Sequence, residues 1–433
     1  LHLSIRRQRQ MCIRDRPSCF QHQKEGRIVL ARRRFNMAKI EQFTEEYIKK
    51  ESKDRELLFK DFLNSKEPYT SIFKNNPWLQ PPDFRKPLDL NENRYWNTTV
   101  GRKHPYWKTK KLPTPTKEIK QIRKDFKKWG YALIEEGMSK KQCKTFIKRL
   151  LDQAKGEELA GLKSMTPSGQ YVHTLINKGD VFRGCIEQDI SSVQAGLLIE
   201  TFLNETLGEG WICHSFLANG SEKGYYPQVL HIDQSPLSPW ITEEAPALVN
   251  TLYIPQDVNE VNGGTLIIPG SHKNIIKAGS NGEVGKLPPA INLEAKAGTI
   301  MLFDGRLLHG TGVNKTNKIR FVAAMSNVKS WMRTQENWVI SVDPKIIKNA
   351  SPKLLHRMGM QAATYGATIE GFGMGAAGKV DESHGNIKPF REAFDKGEYI
   401  RVGELSPKSS QRQLKKKYTL KAAIQSAKEG RTR

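Results

Sequence analysis

Residues 299–321, TIMLFDGRLLHGTGVNKTNKIRF, contain the pattern from which the rest of the chain can be interpreted. The apolar run 300–303 predicts a strand, because short runs of branched and aromatic residues favour extended backbone. His309 follows it, then a polar turn with two glycines, and then a second apolar run that begins at about Arg320. A histidine that closes one strand and an arginine that opens the next suit a site that holds a metal at one point and an anionic ligand at another.

The region after Gly210 predicts a β-rich core. Short runs of β-forming residues alternate there with Gly, Pro and Asn, and no helical pattern separates them, which disfavours a doubly wound α/β fold. This spacing predicts an all-β sandwich or a jelly-roll barrel. The predicted strands are 211–218, 227–233, 247–254, 265–269, 290–295, 299–303 and 319–326.

Helices are predicted before this core, so the expected class is an all-β core with flanking helices (α+β). One helix is predicted over 117–129, ahead of a short strand at 131–134. A second is predicted to begin after Ser139, which is a suitable N-cap residue. A third is predicted over 191–206, capped by Ser191 or Ser192.

Composition divides the chain into four segments. Residues 1–36 are basic and lack periodicity, so we expect a non-native or disordered segment; the alternative is a basic arm that binds an anionic partner. Residues 37–116 begin with a helical pattern and continue as a Pro- and Trp-rich extension, expected to lie over the main domain. Residues 117–335 form the predicted main domain, and 336–433 form a C-terminal extension with a basic tail.

The net charge of +25 is concentrated at the two ends of the chain. Residues 1–36 and 405–433 each have a surplus of eight positive charges, so the middle is only moderately basic, as is common in an enzyme with an anionic cosubstrate. No apolar run approaches the roughly 20 residues of a membrane span. The five cysteines are scattered without a C-x-x-C pair, which argues against a disulfide framework or a zinc ribbon. With no secretory signal visible, we expect a cytoplasmic protein.

A metal site is predicted from His231-x-Asp233, which ends the strand-like run 228–230. The strand period of two places both side chains on one face. Alone, this motif most often marks a surface histidine and a turn aspartate. With His309 as a third ligand it completes a set of two histidines and one carboxylate, which is typical of non-haem Fe(II) oxygenases. Arg320 could bind the distal carboxylate of 2-oxoglutarate through two parallel hydrogen bonds.

Two segments resemble the phytanoyl-CoA dioxygenase family. Residues 262–272, NGGTLIIPGSH, are similar to its N-G-x-[TL]-x-x-x-P-G-S-H segment, and residues 298–310, GTIMLFDGRLLHG, to its G-x-x-x-x-F-x-x-x-L-x-H-G stretch. The H-x-D motif lies upstream in the expected order, and the predicted helix–strand–helix at 117–155 also matches. The resemblance covers roughly 117–330. It implies a double-stranded β-helix (jelly roll, cupin-like) that uses Fe(II), 2-oxoglutarate and O2.

The resemblance also implies roles for individual residues. His231, Asp233 and His309 would ligate Fe(II), and Arg320 would bind the distal carboxylate of 2-oxoglutarate. Three further residues would contact the cosubstrate: Thr265, Asn250 and Gln228. His272, in the P-G-S-H turn, is interpreted as structural. Relatives often carry a tryptophan on the strand before the N-G motif, and Leu252 stands near there, so the resemblance does not define the wall beside the cosubstrate.

The implied activity is hydroxylation of a small or lipid-like organic substrate, with release of succinate and CO2. Halogenases of this superfamily replace the carboxylate ligand by a small residue, so the presence of Asp233 favours hydroxylation. A nucleic-acid-directed oxygenase is the first alternative, with the basic tails as phosphate contacts, but no basic–aromatic strip accompanies the motifs. A β-barrel binding protein that has lost catalysis is the second, and the complete set of ligands disfavours it. The motifs identify the oxidant, so the substrate, its possible CoA thioester and the oligomeric state stay open.

Overall fold

The structure is a computed structural model, and it describes residues 74–76, 105–166, 168–228, 230–234, 246–273, 285–360 and 403–410. All of these residues belong to one compact unit of the chain. None of the described helices is long and apolar enough to cross a membrane. The predicted segment 1–36, the helical pattern that follows residue 37 and most of the C-terminal extension lie outside the described residues.

Most of the helices precede the β-rich region or follow it. A 3-10 turn spans Leu175–Lys178. The helices are α1 (Pro105–Lys108), α2 (Ile119–Trp129), α3 (Lys140–Leu159), α4 (Asp180–Ile186), α5 (Gly196–Leu207), α6 (Trp338–Ser341), α7 (Pro344–Asn349) and α8 (Pro352–Arg357).

The strands form two antiparallel sheets. They are β1 (Tyr131–Ile134), β2 (Ser164–Thr166), β3 (Gly169–Val172), β4 (Ile212–Ser221), β5 (Leu248–Tyr253), β6 (Leu266–Ile267), β7 (Ile291–Asn292), β8 (Ile300–Asp304), β9 (His309–Gly310) and β10 (Arg320–Val328). The large sheet has the order β1-β8-β5-β10-β4-β3-β2, and the small sheet has the order β7-β6-β9. The predicted fold class, a jelly-roll core with flanking helices, is confirmed by the two antiparallel sheets and the helices around them, although the large sheet is not closed.

The strand period of two gives the large sheet two different buried faces. On β8, Ile300 and Leu302 pack in a cluster with helix residues such as Phe146. Met301 and Phe303, which alternate with them, pack in a second cluster that includes Ile267 of the small sheet. We call these the helix-covered face and the inner face. Buried apolar area on both sides stabilises the sheet, and the inner face carries the candidate site.

Helix α3 begins where the sequence predicts. The Ser139 hydroxyl accepts a hydrogen bond from the Gln142 backbone N–H at 3.2 Å, and the Gln142 side chain accepts one from the Ser139 N–H at 2.8 Å. This capping box satisfies two backbone donors that the first helical turn leaves unpaired. The helix then continues to Leu159.

The predicted start of the third helix was wrong. Helix α5 begins at Gly196, and neither Ser191 nor Ser192 caps it. The Ser191 backbone N–H instead donates to the Asp189 carboxylate at 2.8 Å, which holds this segment in a turn. Packing also decides the position, because a Cβ at residue 196 would lie 2.1 Å from the Gln188 carbonyl oxygen.

The predicted strand 227–233 was also wrong as a regular element. Among its described residues, only His231 forms a β-bridge, to His309. The backbone donors Gln228, His231 and Gln234 bond to Thr311, His309 and Gly305, respectively, so the two segments run side by side in an irregular register. Strands β2 and β3 and helix α4 were not predicted.

The described parts of the Pro- and Trp-rich extension, residues 74–76 and 105–116, contact the main domain. Trp107 is buried in the inner cluster, and its indole N–H donates to the Pro289 carbonyl at 2.9 Å. The Asn76 amide bonds to the backbone of Gly285 and Leu287. These contacts join the extension to the segment 285–289, which precedes β7.

Candidate metal centre and its polar neighbours

Two histidines come together through a backbone bridge. The His231 N–H donates to the His309 carbonyl and the His309 N–H to the His231 carbonyl, both at 3.0 Å. The two imidazole centroids are 4.5 Å apart. On its other side, His309 pairs with Ile267 in the small sheet, so one ring is carried by a strand and the other by the segment laid against it.

Asp233 completes the centre. Its Oδ1 lies 3.3 Å from Nε2 of His231, and its Oδ2 lies 3.4 Å from Nε2 of His309. One potential ligand atom from each residue lies within 4.8 Å of the others, and among the described residues this is the one such group of three. Two imidazoles and a carboxylate in this arrangement can occupy one face of an octahedral divalent metal.

The protonation of the centre suits a metal. The His309 Nδ1 lies 2.9 Å from the Leu307 carbonyl, which can only accept, so Nδ1 carries a proton and Nε2 faces the centre. Burial by itself would raise the pKa of Asp233, but the charge of His309 and hydrogen bonds from both imidazoles hold that pKa well below its ordinary value. The carboxylate is therefore ionised and available as a ligand for a divalent cation.

Asn250 supports the carboxylate from the large sheet. It is fully buried on β5, and its Nδ2 donates to Asp233 Oδ2 at 2.8 Å. The Ser326 hydroxyl donates to the Asn250 Oδ1 at 2.6 Å. Sequence analysis predicted that Asn250 contacts the cosubstrate; the contact found is with the predicted metal ligand.

The P-G-S-H turn holds the backbone next to His309. The Ser271 hydroxyl accepts from the Leu308 N–H at 2.8 Å, and the Ile268 N–H donates to the Leu308 carbonyl at 3.0 Å. His272 is buried against α2, with Nε2 3.3 Å from the Lys127 carbonyl. Burial lowers its pKa to about 4, so it is neutral near pH 7. These contacts fit the structural role predicted for this residue.

Arg320 lies on the same inner face, at the start of β10 and opposite Ser221 of β4. Its guanidinium donates to the carbonyls of Gly263 and Asn262, while Nη1 is buried and has no hydrogen-bond partner. No carboxylate among the described residues forms an ion pair with it. Burial lowers its pKa to about 10, so it is still charged near neutral pH. A buried cation without an anion is costly, and this one is suited to an anionic ligand.

The loop whose carbonyl groups meet Arg320 requires a glycine at residue 263. Gly263 has a φ of +77°, and a Cβ there would lie 2.6 Å from the Gly312 carbonyl oxygen. The N-G motif therefore allows the backbone conformation in which the carbonyls of Asn262 and Gly263 accept hydrogen bonds from the guanidinium. Thr265 follows two residues later and is buried just before β6. Contact of its hydroxyl with a cosubstrate stays a prediction.

A polar cluster that the sequence analysis largely missed lies near both Asp233 and Arg320. The Tyr171 hydroxyl accepts from the side-chain amides of Asn219 at 3.1 Å and Gln228 at 3.2 Å. Thr311 accepts from Asn219 at 2.7 Å and donates to Gln228 at 3.2 Å. Burial raises the pKa of Tyr171, while Asp233 raises it further and Arg320 lowers it, so the hydroxyl is within electrostatic reach of both.

Gln228 was predicted as a site residue, and it belongs to this polar cluster. One signal for Thr311 was available, since it follows His309 by one strand period. Tyr171 and Asn219 had no local signal, because they reach the site through pairing of β3 with β4.

Apolar side chains complete the inner face. The Phe303 ring stands edge-on to His309, with centroids 4.7 Å apart. Leu252 and Val322 are buried in the same inner cluster.

Comparison with known proteins agrees with this geometry. Residues 126–322 match the family described as phytanoyl-CoA dioxygenase (PhyH). The chain is 35% identical over 116 residues to dioxygenase FUM3 of Gibberella moniliformis, which is 26% of this chain and 37% of that protein. It is 30% identical over 162 residues to dioxygenase af480 of Aspergillus fumigatus, which is 37% of this chain and 51% of that protein. The chain thus spans about half or less of these two relatives.

A solved structure is also similar. It is the non-heme alpha ketoglutarate dependent carbocyclase SnoK from nogalamycin biosynthesis. The TM-score is 0.40 and the identity is 16%, and the match covers 54% of this chain and 95% of that chain.

Proposed function

Because residues 126–322 form a domain of the phytanoyl-CoA dioxygenase family, we propose that this chain is an Fe(II)- and 2-oxoglutarate-dependent dioxygenase that hydroxylates a small or lipid-like organic substrate. One observation carries the proposal. A single inner face bears an ionised carboxylate between two imidazoles and, near a shared polar cluster, a buried guanidinium whose Nη1 has no partner. The first suits a divalent metal, and the second suits a carboxylate.

His231, Asp233 and His309 would hold the iron. Bound Fe(II) with 2-oxoglutarate supplies the activation of O2, with decarboxylation of the cosubstrate to succinate and CO2. The protein's part is to present its three ligands on one side, which leaves three coordination positions for the cosubstrate and O2. Retention of Asp233 favours hydroxylation over halide transfer.

Arg320 would hold the distal carboxylate of 2-oxoglutarate. Its free Nη1 and its rigid planar shape favour paired hydrogen bonds to a carboxylate. The hydroxyls of Tyr171 and Thr311 and the amide of Gln228 are close enough to one another to bind the cosubstrate together. Thr265 would add a hydroxyl from the loop that contacts Arg320.

The substrate class is supported by the apolar part of the inner face. Phe303 lies against His309, and Leu252 and Val322 belong to the same buried cluster. An apolar wall beside the metal excludes water and favours contact with carbon chains or rings.

Anaerobic titration of the purified protein with Fe(II) and 2-oxoglutarate tests the proposal. The expected result is a visible charge-transfer band of the iron–cosubstrate chelate, followed by succinate formation when O2 is admitted. His231→Ala should abolish the band, while His356→Gln, on α8 outside the centre, should retain it. Absence of the band in the wild-type protein, or its persistence unchanged in His231→Ala, would reject the proposal and leave the barrel as a binding protein.

A further inference from the structure

Asn250 occupies a fixed position beneath Asp233. It lies in the middle of the large sheet, paired with Ser326 of β10 on one side and Phe303 of β8 on the other. Strand ladders on both sides restrain its backbone, and its side chain is fully buried. The amide therefore has little freedom to move away from the carboxylate above it.

The orientation of the amide follows from its two partners. An ionised carboxylate can only accept hydrogen bonds, so Asn250 must present its NH2 group to Asp233. The opposite end, Oδ1, then receives the Ser326 hydroxyl at 2.6 Å. A flipped amide would place oxygen against oxygen, so Ser326 and Asp233 together fix a single arrangement.

We propose that Asn250, oriented by Ser326, is a positioning residue that restricts Asp233 to one-oxygen coordination of the metal. This inference rests on the proposed function. Because Asn250 Nδ2 bonds to Oδ2 at 2.8 Å, Oδ1 is the oxygen left for the metal. A carboxylate that used both oxygens would take two positions, as carboxylates do on larger ions. The amide thus preserves one coordination position that the cosubstrate and O2 need.

A simpler explanation is that the bonds of Asn250 only satisfy a buried polar group. That explanation predicts loss of stability without a change in metal binding. The neighbouring Thr251 offers a matched control. It is also fully buried, and its hydroxyl accepts from Asn327 Nδ2 at 3.1 Å, but the strand alternation directs it to the helix-covered face.

The experiment compares metal binding by the wild-type protein, Asn250→Leu, Ser326→Ala and Thr251→Val. Leucine has the same branched arrangement of four side-chain heavy atoms as asparagine and cannot donate a hydrogen bond. Anaerobic titration with Fe(II), and with Co(II) as a spectroscopic probe, should give dissociation constants raised about 10- to 100-fold in Asn250→Leu, because loss of an outer hydrogen-bond partner costs that much. Ser326→Ala should raise the dissociation constant less, by about 3- to 10-fold, since the amide itself remains.

Thermal unfolding and the Co(II) spectrum separate the two explanations. Thr251→Val should lower the melting temperature yet change the metal dissociation constant less than about twofold and leave the Co(II) visible spectrum unaltered. In Asn250→Leu the Co(II) spectrum should change, because the carboxylate can then bind through both oxygens. If Asn250→Leu does not fold, Ser326→Ala carries the test.

The proposal is overturned if Asn250→Leu and Ser326→Ala bind Co(II) as tightly as the wild type with the same spectrum. It is also overturned if Thr251→Val raises the metal dissociation constant as much as Asn250→Leu does. These failures are distinct from failure of the proposed function, which would show as absence of the Fe(II)–2-oxoglutarate band in the wild-type protein. The Co(II) series needs no cosubstrate.

Discussion

The inner face has a metal end at Asp233 and a cosubstrate end at Arg320, and the two differ in how far neighbouring side chains compensate the charge. At the metal end, Asp233 is an anion already surrounded by donors from His231, His309 and Asn250. At the other end, Arg320 is a cation that meets only backbone carbonyls and keeps Nη1 without a partner. Arg320 is buried and Asp233 is half-buried, but only the anion has its charge compensated by side chains of the described residues.

This difference shows how each end would receive its ligand. At the metal end, two imidazoles and an amide surround the Asp233 carboxylate. At the cosubstrate end, no carboxylate of the described residues pairs with Arg320, so a bound carboxylate would compensate a buried charge. Metal binding should therefore depend on several mutually supporting residues, whereas cosubstrate binding should depend strongly on one.

The largest effect is expected at the metal end. Asp233→Ala removes the only anionic member of the centre, and Fe(II) affinity should fall by more than about 100-fold, since even outer-shell changes cost 10- to 100-fold. Anaerobic calorimetric titration with Fe(II) measures this. His356→Gln should titrate as the wild type does, and retention of tight Fe(II) binding in Asp233→Ala would place the metal elsewhere.

The next effect isolates the cosubstrate end. Arg320→Gln removes two charge-assisted hydrogen bonds, so the dissociation constant of 2-oxoglutarate should rise about 100-fold. The dissociation constant of Fe(II) alone should change less than about twofold. Titrating the visible band with 2-oxoglutarate gives the first value, and calorimetry gives the second. If Arg320→Gln weakens both ligands equally, the two ends are not independent.

A smaller effect is expected from the shared polar cluster. Tyr171→Phe removes one hydroxyl that bonds to Gln228 and Asn219, and it should raise the KM for 2-oxoglutarate about fivefold with little change in kcat. Succinate formation measures both constants. Tyr253→Phe is the matched control, because Tyr253 is buried on the helix-covered face and its hydroxyl bonds to the Cys185 carbonyl at 3.3 Å. An equal rise in KM in that variant would contradict a direct role for Tyr171.

The smallest effect is on the stability of the metal-free protein at low pH. The pKa of Asp233 is lower in the folded state than the roughly 3.9 of an unfolded chain, so the unfolded state binds more protons. The free energy of unfolding should therefore fall as pH drops below about 4. Urea unfolding between pH 3 and 6 should show a steeper fall for the wild type than for Asp233→Asn. Identical slopes would show that the carboxylate is not stabilised in the folded state.

Local patterns predicted the elements whose signals are self-contained. The strand at 131–134, the cap at Ser139 and the β8 and β10 strands appear as expected, because alternation and capping are encoded within a few residues. The false start of α5 and the missed β2 and β3 have another cause. Gly196 is placed by contact with Gln188, and β3 is held by pairing with β4. The residues that determine these elements therefore lie outside the short segments from which a local pattern is read.

The candidate site divides in the same way. The residue types His231, Asp233, His309 and Arg320 could be selected from sequence, because their chemistry is specific and two longer motifs enclose them. The distances between these side chains could not be predicted from sequence. The H-x-D segment is not a regular strand, and its histidine is positioned by a bridge to His309.

Sequence alone therefore determined which groups could bind a metal and an anion, and in what order they occur. Only the tertiary structure decided what surrounds them: that Asn250 meets Asp233, that Tyr171 joins the polar cluster and that Arg320 keeps Nη1 unpaired. The physical reason is the separation along the chain of the residues that determine each feature. Side-chain chemistry and strand alternation are local properties, whereas these contacts depend on the register between strands that are far apart in the chain.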